Sequence, residues 1–197
     1  MNSTLAQAEE ALTRLNPRPF PIPLGRLAGL VEGGFEGMSR RDWVVAGPRE
    51  RVGAVLRGCP VERLVEPQSG AKPYKLAPVS VAPGNRALHA VGLALGSGGP
   101  VLCFLGLASA ASGSFHEALN LAAITEAPVI FLVAVVELGE GAPVSVQLAS
   151  SPAALAGAFG IDARRVPATA GAVREAVSAA REAGRPTLIE ALLEENR

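Results

Sequence analysis

The side chains able to do chemistry are few, and most follow two apolar runs. After Val101 to Leu105 come Gly106, Leu107 and Ala108, then Ser109, Ser112, Ser114, His116 and Glu117. After the second run, Pro128 to Val136, come Glu137 and Glu140. Serine hydroxyls are weak neutral ligands for a hard cation, and the two glutamates are the acidic candidates. His116 beside Glu117 has the composition of a general acid–base pair. The competing reading is a first helical turn, where Glu117 favours the dipole and His116 lies at the surface or an interface. Ser114 has no Gly-x-Ser-x-Gly around it, which argues against a nucleophile elbow. Arg49 with Arg51 has the charge to hold an anion, or is surface charge at a helix start. His89, within an apolar helical pattern, reads as a hydrogen-bonded core or interface residue. Gly96-Ser97-Gly98-Gly99 is a turn; no strand precedes it and no Gly-Lys-Ser/Thr follows.

The elements that must position these groups follow a simple grammar. Val101 to Leu105 predicts a strand, Ser114 to Ile124 a helix, and Pro128 to Val136 a second strand, a parallel crossover unit. Open α/β sheets bind ligands outside the carboxyl ends of their strands, so the Gly106 loop is where a site would sit. Upstream, residues 3–15 predict a helix capped by Ser3 or Thr4, with Leu5, Ala8, Leu12 and Leu15 on one face. Pro17 to Pro23 predicts an extended connector. A short apolar-faced segment, Leu24 to Val31, runs into a glycine-rich stretch. Residues 40–45 lead into a strand, and residues 48–58 predict a helix with Pro48 in its first turn and Gly58 at its end. Residues 59–83 predict a long loop with a short helix at Val61 to Val65. Residues 84–99 predict a buried helix whose Gly92 and Gly96 share a face open to another backbone, within the chain or across a dimer. Downstream come a loop (138–151), a short helix from Ser151, a strand at ARRVPA, a helix capped by Thr169 and ended by Gly184, and a last strand in 186–195. Strand and helix alternate through this half, which predicts an α/β fold with a doubly wound, mainly parallel sheet.

Composition bounds the function. The 197 residues carry zero net charge, which gives no electrostatic case for nucleic acid or an anionic membrane. Nearly half are apolar and 18% are charged, which suits burial through a doubly wound sheet or an oligomer interface. Cys59 and Cys103 form neither a disulfide framework nor a metal spacing, and a reducing, cytoplasmic setting is expected. Cys103 lies within an apolar strand pattern. The first residues lack the pattern of a signal peptide, and no apolar run reaches the ~20 residues of a membrane helix. A single domain over 1–197 is expected, with 1–23 as N-terminal helix and connector.

Several stretches carry a family resemblance. SGSFHEALNLAAITEAPVIFLV, PVSVQLASSPAALAGAFGI and RPTLIEAL resemble the alpha subunit of the thiamine-diphosphate-dependent decarboxylase component of 2-oxoacid dehydrogenase complexes, of pyruvate or branched-chain type. RDWVVAGPRERVGAVLRG resembles that family's DWVF and YRE-G segment, and GNRALHAVGLALG its helix ahead of the cofactor motif. The resemblance covers roughly residues 25–193. It implies a thiamine-diphosphate-binding fold, alpha subunits that pair with each other and with beta subunits, and a cofactor held between alpha and beta.

The resemblance also implies what is missing. The family's cofactor motif is Gly-Asp-Gly after one strand and Asn-Asn after the next, the Asp and second Asn holding Mg²⁺ on the cofactor diphosphate. The matching residues here are Gly106-Leu107-Ala108 and Val135-Val136, so hydrocarbon replaces both side-chain ligands. The family's YRE tyrosine becomes Pro48, Arg49 and Glu50 remain, and the histidine that follows becomes Arg51. In this sequence nothing after LIEAL matches the family's histidine-bearing phosphate loop. The cofactor positions are therefore Arg49, Gly106, Leu107, Ala108 and Val136 with their ligands lost, and no catalytic or metal residue is assigned. An unpaired aspartate in an empty site would be costly, and Leu or Val removes that penalty. The expected protein is a non-catalytic oligomeric or regulatory relative, a homodimer without thiamine diphosphate or Mg²⁺. The alternatives are a divergent 2-oxoacid-decarboxylating subunit that binds the cofactor only with a beta-type partner, and a binder of some other small ligand.

Overall fold

The computed structural model describes residues 2–15, 23–66, 70–80, 82, 84–136 and 148–193. Five strands form one sheet: β1 Trp43–Val45, β2 Val101–Gly106, β3 Val129–Val136, β4 Asp162–Pro167 and β5 Thr187–Leu193. Their order is β1-β2-β3-β5-β4 and every pairing is parallel. β2 and β3 are unbroken apolar runs because both sheet faces are covered. Alternation sends Leu102, Phe104, Ile130 and Leu132 to one layer, and Val101, Cys103, Leu105, Val129 and Phe131 to the other.

The first layer holds α1 Ser3–Leu15, α2 Ala28–Gly37, a 3₁₀ helix Glu50–Arg57 and α7 Ala170–Ala183. The second holds α3 Asn85–Ser97, α5 Gly113–Thr125 and α6 Pro152–Ala158, with a one-turn α4 Leu107–Ala110 between β2 and α5. Helices on both faces of a parallel sheet are the doubly wound arrangement the alternation predicts. The caps also follow the sequence. Ser151 Oγ accepts from Ala154 N (3.2 Å), Thr169 Oγ1 accepts from Ala172 N (3.4 Å), and Gly184 is left-handed at φ 63°.

Some expectations are corrected. The α1 cap is Asn2, whose Oδ1 accepts from Thr4 N at 2.9 Å, and not Ser3 or Thr4. Leu15 is exposed, because the apolar stripe ends at Leu12. Residues 50–57 form a 3₁₀ helix that begins beyond Pro48. Gly92 and Gly96 approach no backbone among the described residues, since an added Cβ at either meets none of their atoms within 4 Å. The close approach is made by α2 instead. A Cβ on Gly29 would lie 2.6 Å from Ala168 O, on Gly33 2.5 Å from Ala170 O, and on Gly37 2.7 Å from Val177 Cβ. These three glycines, four apart, let α7 pack backbone to backbone. The 17–23 connector and the 138–151 loop fall largely outside the described residues.

Two polar devices fix the layers. Asp42 Oδ2 accepts from Ser39 N (2.8 Å) and Arg181 Nε (2.5 Å), which ties α7 to the start of β1. Glu190, fully buried in β5, accepts from Ala153 N (2.6 Å) and Arg165 Nε (2.8 Å), and so orients α6. Both carboxylates are paired, as buried charges must be.

Candidate functional site

The carboxyl ends of β1, β2 and β3 lie side by side, so residues 46–50, 106–109 and the end of β3 at Val136 share one edge of the sheet. The sheet thus gathers the family cofactor positions. Gly106 sits at the α4 N-cap in extended conformation (φ −99°), with open space around a would-be Cβ. Leu107, in the first turn of α4, is half-buried and packs on the second apolar layer. Ala108 is exposed. Val136 closes β3 opposite Leu193, and its side chain lies outside the described residues, as do Glu137 and Glu140. Arg49 is half-buried at the N-cap of the 3₁₀ helix.

Of the two arginines considered for an anion, Arg51 is buried and donates from Nη2 to Glu66 O at 3.3 Å. It is 3% exposed, and its Nε and Nη1 have no hydrogen-bond partner among the described residues. Burial lowers its pKa to about 10, and that of Arg57 to about 10 as well. A base with a lowered folded pKa binds fewer protons than the unfolded chain from about pH 10 upward, until the unfolded chain also deprotonates. Stability therefore rises with pH across that window, and the penalty is fully present below it. Arg51→Met is expected to raise stability at pH 7 by about 1 kcal/mol and to flatten the rise above pH 10. Urea titrations at pH 7 and 10.5 check this, and a clear loss at pH 7 would mean the guanidinium is held by favourable contacts.

His89 is exposed, which corrects the core reading. An apolar pattern on α3 includes it, but the face that packs is that of Arg86, Ala87, Ala90, Val91 and Ala94. His116 Nδ1 lies 2.9 Å from Ser112 O, and Glu117 is exposed; the helix begins at Gly113, so Glu117 falls just past the first turn, which corrects the first-turn reading of the pair. Ser112 Oγ caps α5 by accepting from Phe115 N at 3.3 Å. It also lies 3.1 Å from Ser114 Oγ. The serines are thus engaged in turn and cap bonds.

One group at this edge was not singled out from sequence. Arg86, buried in the first turn of α3, donates from Nη2 to Ser109 Oγ at 3.4 Å. Its Nη1 lies 3.8 Å from Glu50 Oε2, so Arg86 joins the loops after β1 and β2. The pair lies against Gly47, where a Cβ would collide with both Arg86 Nη1 and Glu50 Oε2. Gly84 is pressed as closely on Ser112 and Ser114, with a Cβ 2.6 Å from Ser114 Oγ. The signal was present: Arg86 is the lone Lys, Arg, Asp or Glu in residues 84–99.

Among the described residues, the donor set at this edge does not fit Mg²⁺ and a diphosphate. Residue 107 offers a hydrocarbon, the carboxylate at Glu50 faces a guanidinium, and no cluster of three or more His, Cys, Asp or Glu suited to a metal occurs among the described residues. A cavity of about 700 Å³ lies elsewhere, lined by residues 62, 63, 65, 66 and 70–74.

Comparisons with known proteins agree with the fold. The family model of the dehydrogenase E1 component matches residues 81–193. The chain is 37% identical over 127 residues to a 3-methyl-2-oxobutanoate dehydrogenase subunit alpha of Mycobacterium tuberculosis, covering 59% of this chain and 35% of that protein. It is 36% identical over 101 residues to the subunit alpha of acetoin:2,6-dichlorophenolindophenol oxidoreductase of Bacillus subtilis, covering 48% of this chain and 30% of that one. The chain therefore spans about a third of the length of these relatives. Its fold superposes on transketolase from Campylobacter jejuni with a TM-score of 0.68 at 16% identity, over 96% of this chain and 36% of that one. The sheet and its helices thus have the thiamine-diphosphate-type α/β fold. No helix among the described residues is long and apolar enough to cross a membrane.

Proposed function

Because the chain belongs to the dehydrogenase E1 component family, we propose that it is an alpha-subunit-like member that no longer binds Mg²⁺ and thiamine diphosphate. On this reading it acts as a non-catalytic oligomeric or regulatory protein. The observation that carries the proposal is at the end of β2. Leu107 packs on apolar neighbours where the family pattern calls for an acidic ligand, and Arg86 faces the nearby carboxylate of Glu50. A homodimer through α3 is part of the reading, supported by the open face at Gly92 and Gly96 and by exposed Leu95. A monomer in sedimentation equilibrium would remove that part. Two free, buried cysteines support a cytoplasmic setting.

A thermal shift tests the proposal. A ligand at 100 times its Kd stabilises by about 2.7 kcal/mol, which raises Tm by roughly 5–10 °C in a domain of this size. No shift is expected with thiamine diphosphate and MgCl₂, and a metal-dependent rise would overturn the reading. A second reading keeps the chain active with a beta-type partner, and the retained Arg49 and Glu50 favour it. Decarboxylation of a 2-oxoacid by the co-purified pair, absent from either chain alone, would establish it.

A further inference from the structure

We infer that Arg86 is a built-in cation: its guanidinium supplies from within the chain the positive charge that Glu50 requires, so the strand ends need no metal ion. The inference rests on the reading that the metal ligands are gone, and it says what neutralises the edge in their place. Three observations carry it. Arg86 sits in the first turn of α3, where a cation opposes the helix dipole, so helix stability does not account for it. Its side chain is 8% exposed and that of Glu50 16%, so neither charge is left to solvent. Gly47 leaves room for the pair where any side chain would collide with both partners.

The guanidinium also does structural work that a bare charge would not. Nη1 faces Glu50, which follows β1, and Nη2 reaches Ser109, which follows β2. Ser109 in turn accepts at its carbonyl from Ser112 Oγ (2.7 Å), the α5 cap. The guanidinium thus spans the segments after β1 and β2, by a charge contact to Glu50 and a hydrogen bond to Ser109, and through Ser109 reaches a helix cap. Arg86 is a positioning residue for this edge, and Glu50 is its counter-charge.

The test uses the full-length chain with Arg86→Met, Glu50→Gln and the double variant, each melted in metal-free buffer. The Arg86→Met melting temperature is expected to fall by on the order of 5 °C, because a buried carboxylate loses its partner. Low-millimolar methylguanidinium, but not tetramethylammonium, should restore part of that loss. The double variant should melt closer to wild type than Arg86→Met does, and should not respond to methylguanidinium. If Arg86→Met does not fold, a double variant that does fold carries the same support. The inference is overturned if Arg86→Met melts like wild type, if Glu50→Gln fails to relieve its loss, or if MgCl₂ or KCl at constant ionic strength raises the wild-type Tm. Cofactor binding by the wild-type chain would instead sink the cofactor-loss reading and leave the Arg86–Glu50 coupling standing.

Discussion

Gly33→Leu is expected to lower stability by about 4 kcal/mol or more and Tm by on the order of 10 °C. At this point on α2 even a Cβ would lie 2.5 Å from Ala170 O and 2.8 Å from Val173 Cβ. The obstruction is largely backbone, so no rotamer change relieves it. α7 would have to lift from the sheet, and Val173, Val177 and Ala180 would lose their burial with it. Gly171→Leu is the matched control on the facing helix. Its Cβ meets nothing within 4 Å, and a change within ~0.5 kcal/mol is expected. Chemical denaturation of both variants checks the pair. Equal losses would mean that bulk, and not the α2–α7 approach, sets the penalty.

The second large effect lies at Phe104. This residue of β2 is 1% exposed, stacks on Phe35 with ring centroids 5.6 Å apart, and fills the space over Gly34. Phe104→Ala is expected to lose about 3–5 kcal/mol, the cavity and transfer terms together. The informative variant is Gly34→Ala, because its Cβ would lie 2.6 Å from Phe104 Cζ. In the wild-type background that overlap is expected to outweigh the ~1 kcal/mol helix gain of alanine. In a Phe104→Leu background the overlap is relieved, and Gly34→Ala should become neutral or stabilising. Additive losses in the double variant would show that the two residues do not share this space.

These two variants also mark where the sequence ceases to be readable. β2 and β3 are legible because continuous hydrocarbon between turn residues suits a strand covered on both faces. Ser151, Thr169 and Gly184 are legible because capping is local chemistry. Gly29, Gly33 and Gly37 are not, since their partners lie 137–140 positions downstream in α7 and the loop before it. Gly92 and Gly96 carry the same spacing and approach nothing among the described residues. Spacing alone therefore cannot tell a packed glycine face from an open one. The 3₁₀ geometry of residues 50–57 was hidden for another reason: the apolar pattern predicts a helix without choosing between i→i+3 and i→i+4 acceptors.

The candidate site divides in the same way. The positions Gly106, Leu107 and Ala108 are legible because they follow a strand that ends on glycine. Their change of chemistry is legible because leucine offers no oxygen. The pairing of Arg86 with Glu50 was not, since the two are 36 residues apart and belong to different helices. A lone charge in an apolar helix signals that a partner exists without naming it. Arg51 shows the opposite limit. Its place beside Arg49 suggested shared work, yet successive residues of a 3₁₀ helix point about a third of a turn apart. Arg51 reaches Glu66, while Glu50 faces Arg86.

We propose that this thiamine-diphosphate-type scaffold presents no site for the metal and its cofactor. Isothermal titration of the full-length chain with thiamine diphosphate in excess MgCl₂ tests it most directly. The account predicts only heats of dilution up to millimolar cofactor, unchanged when the metal is removed with EDTA. Saturable, EDTA-sensitive binding in the micromolar range would contradict it.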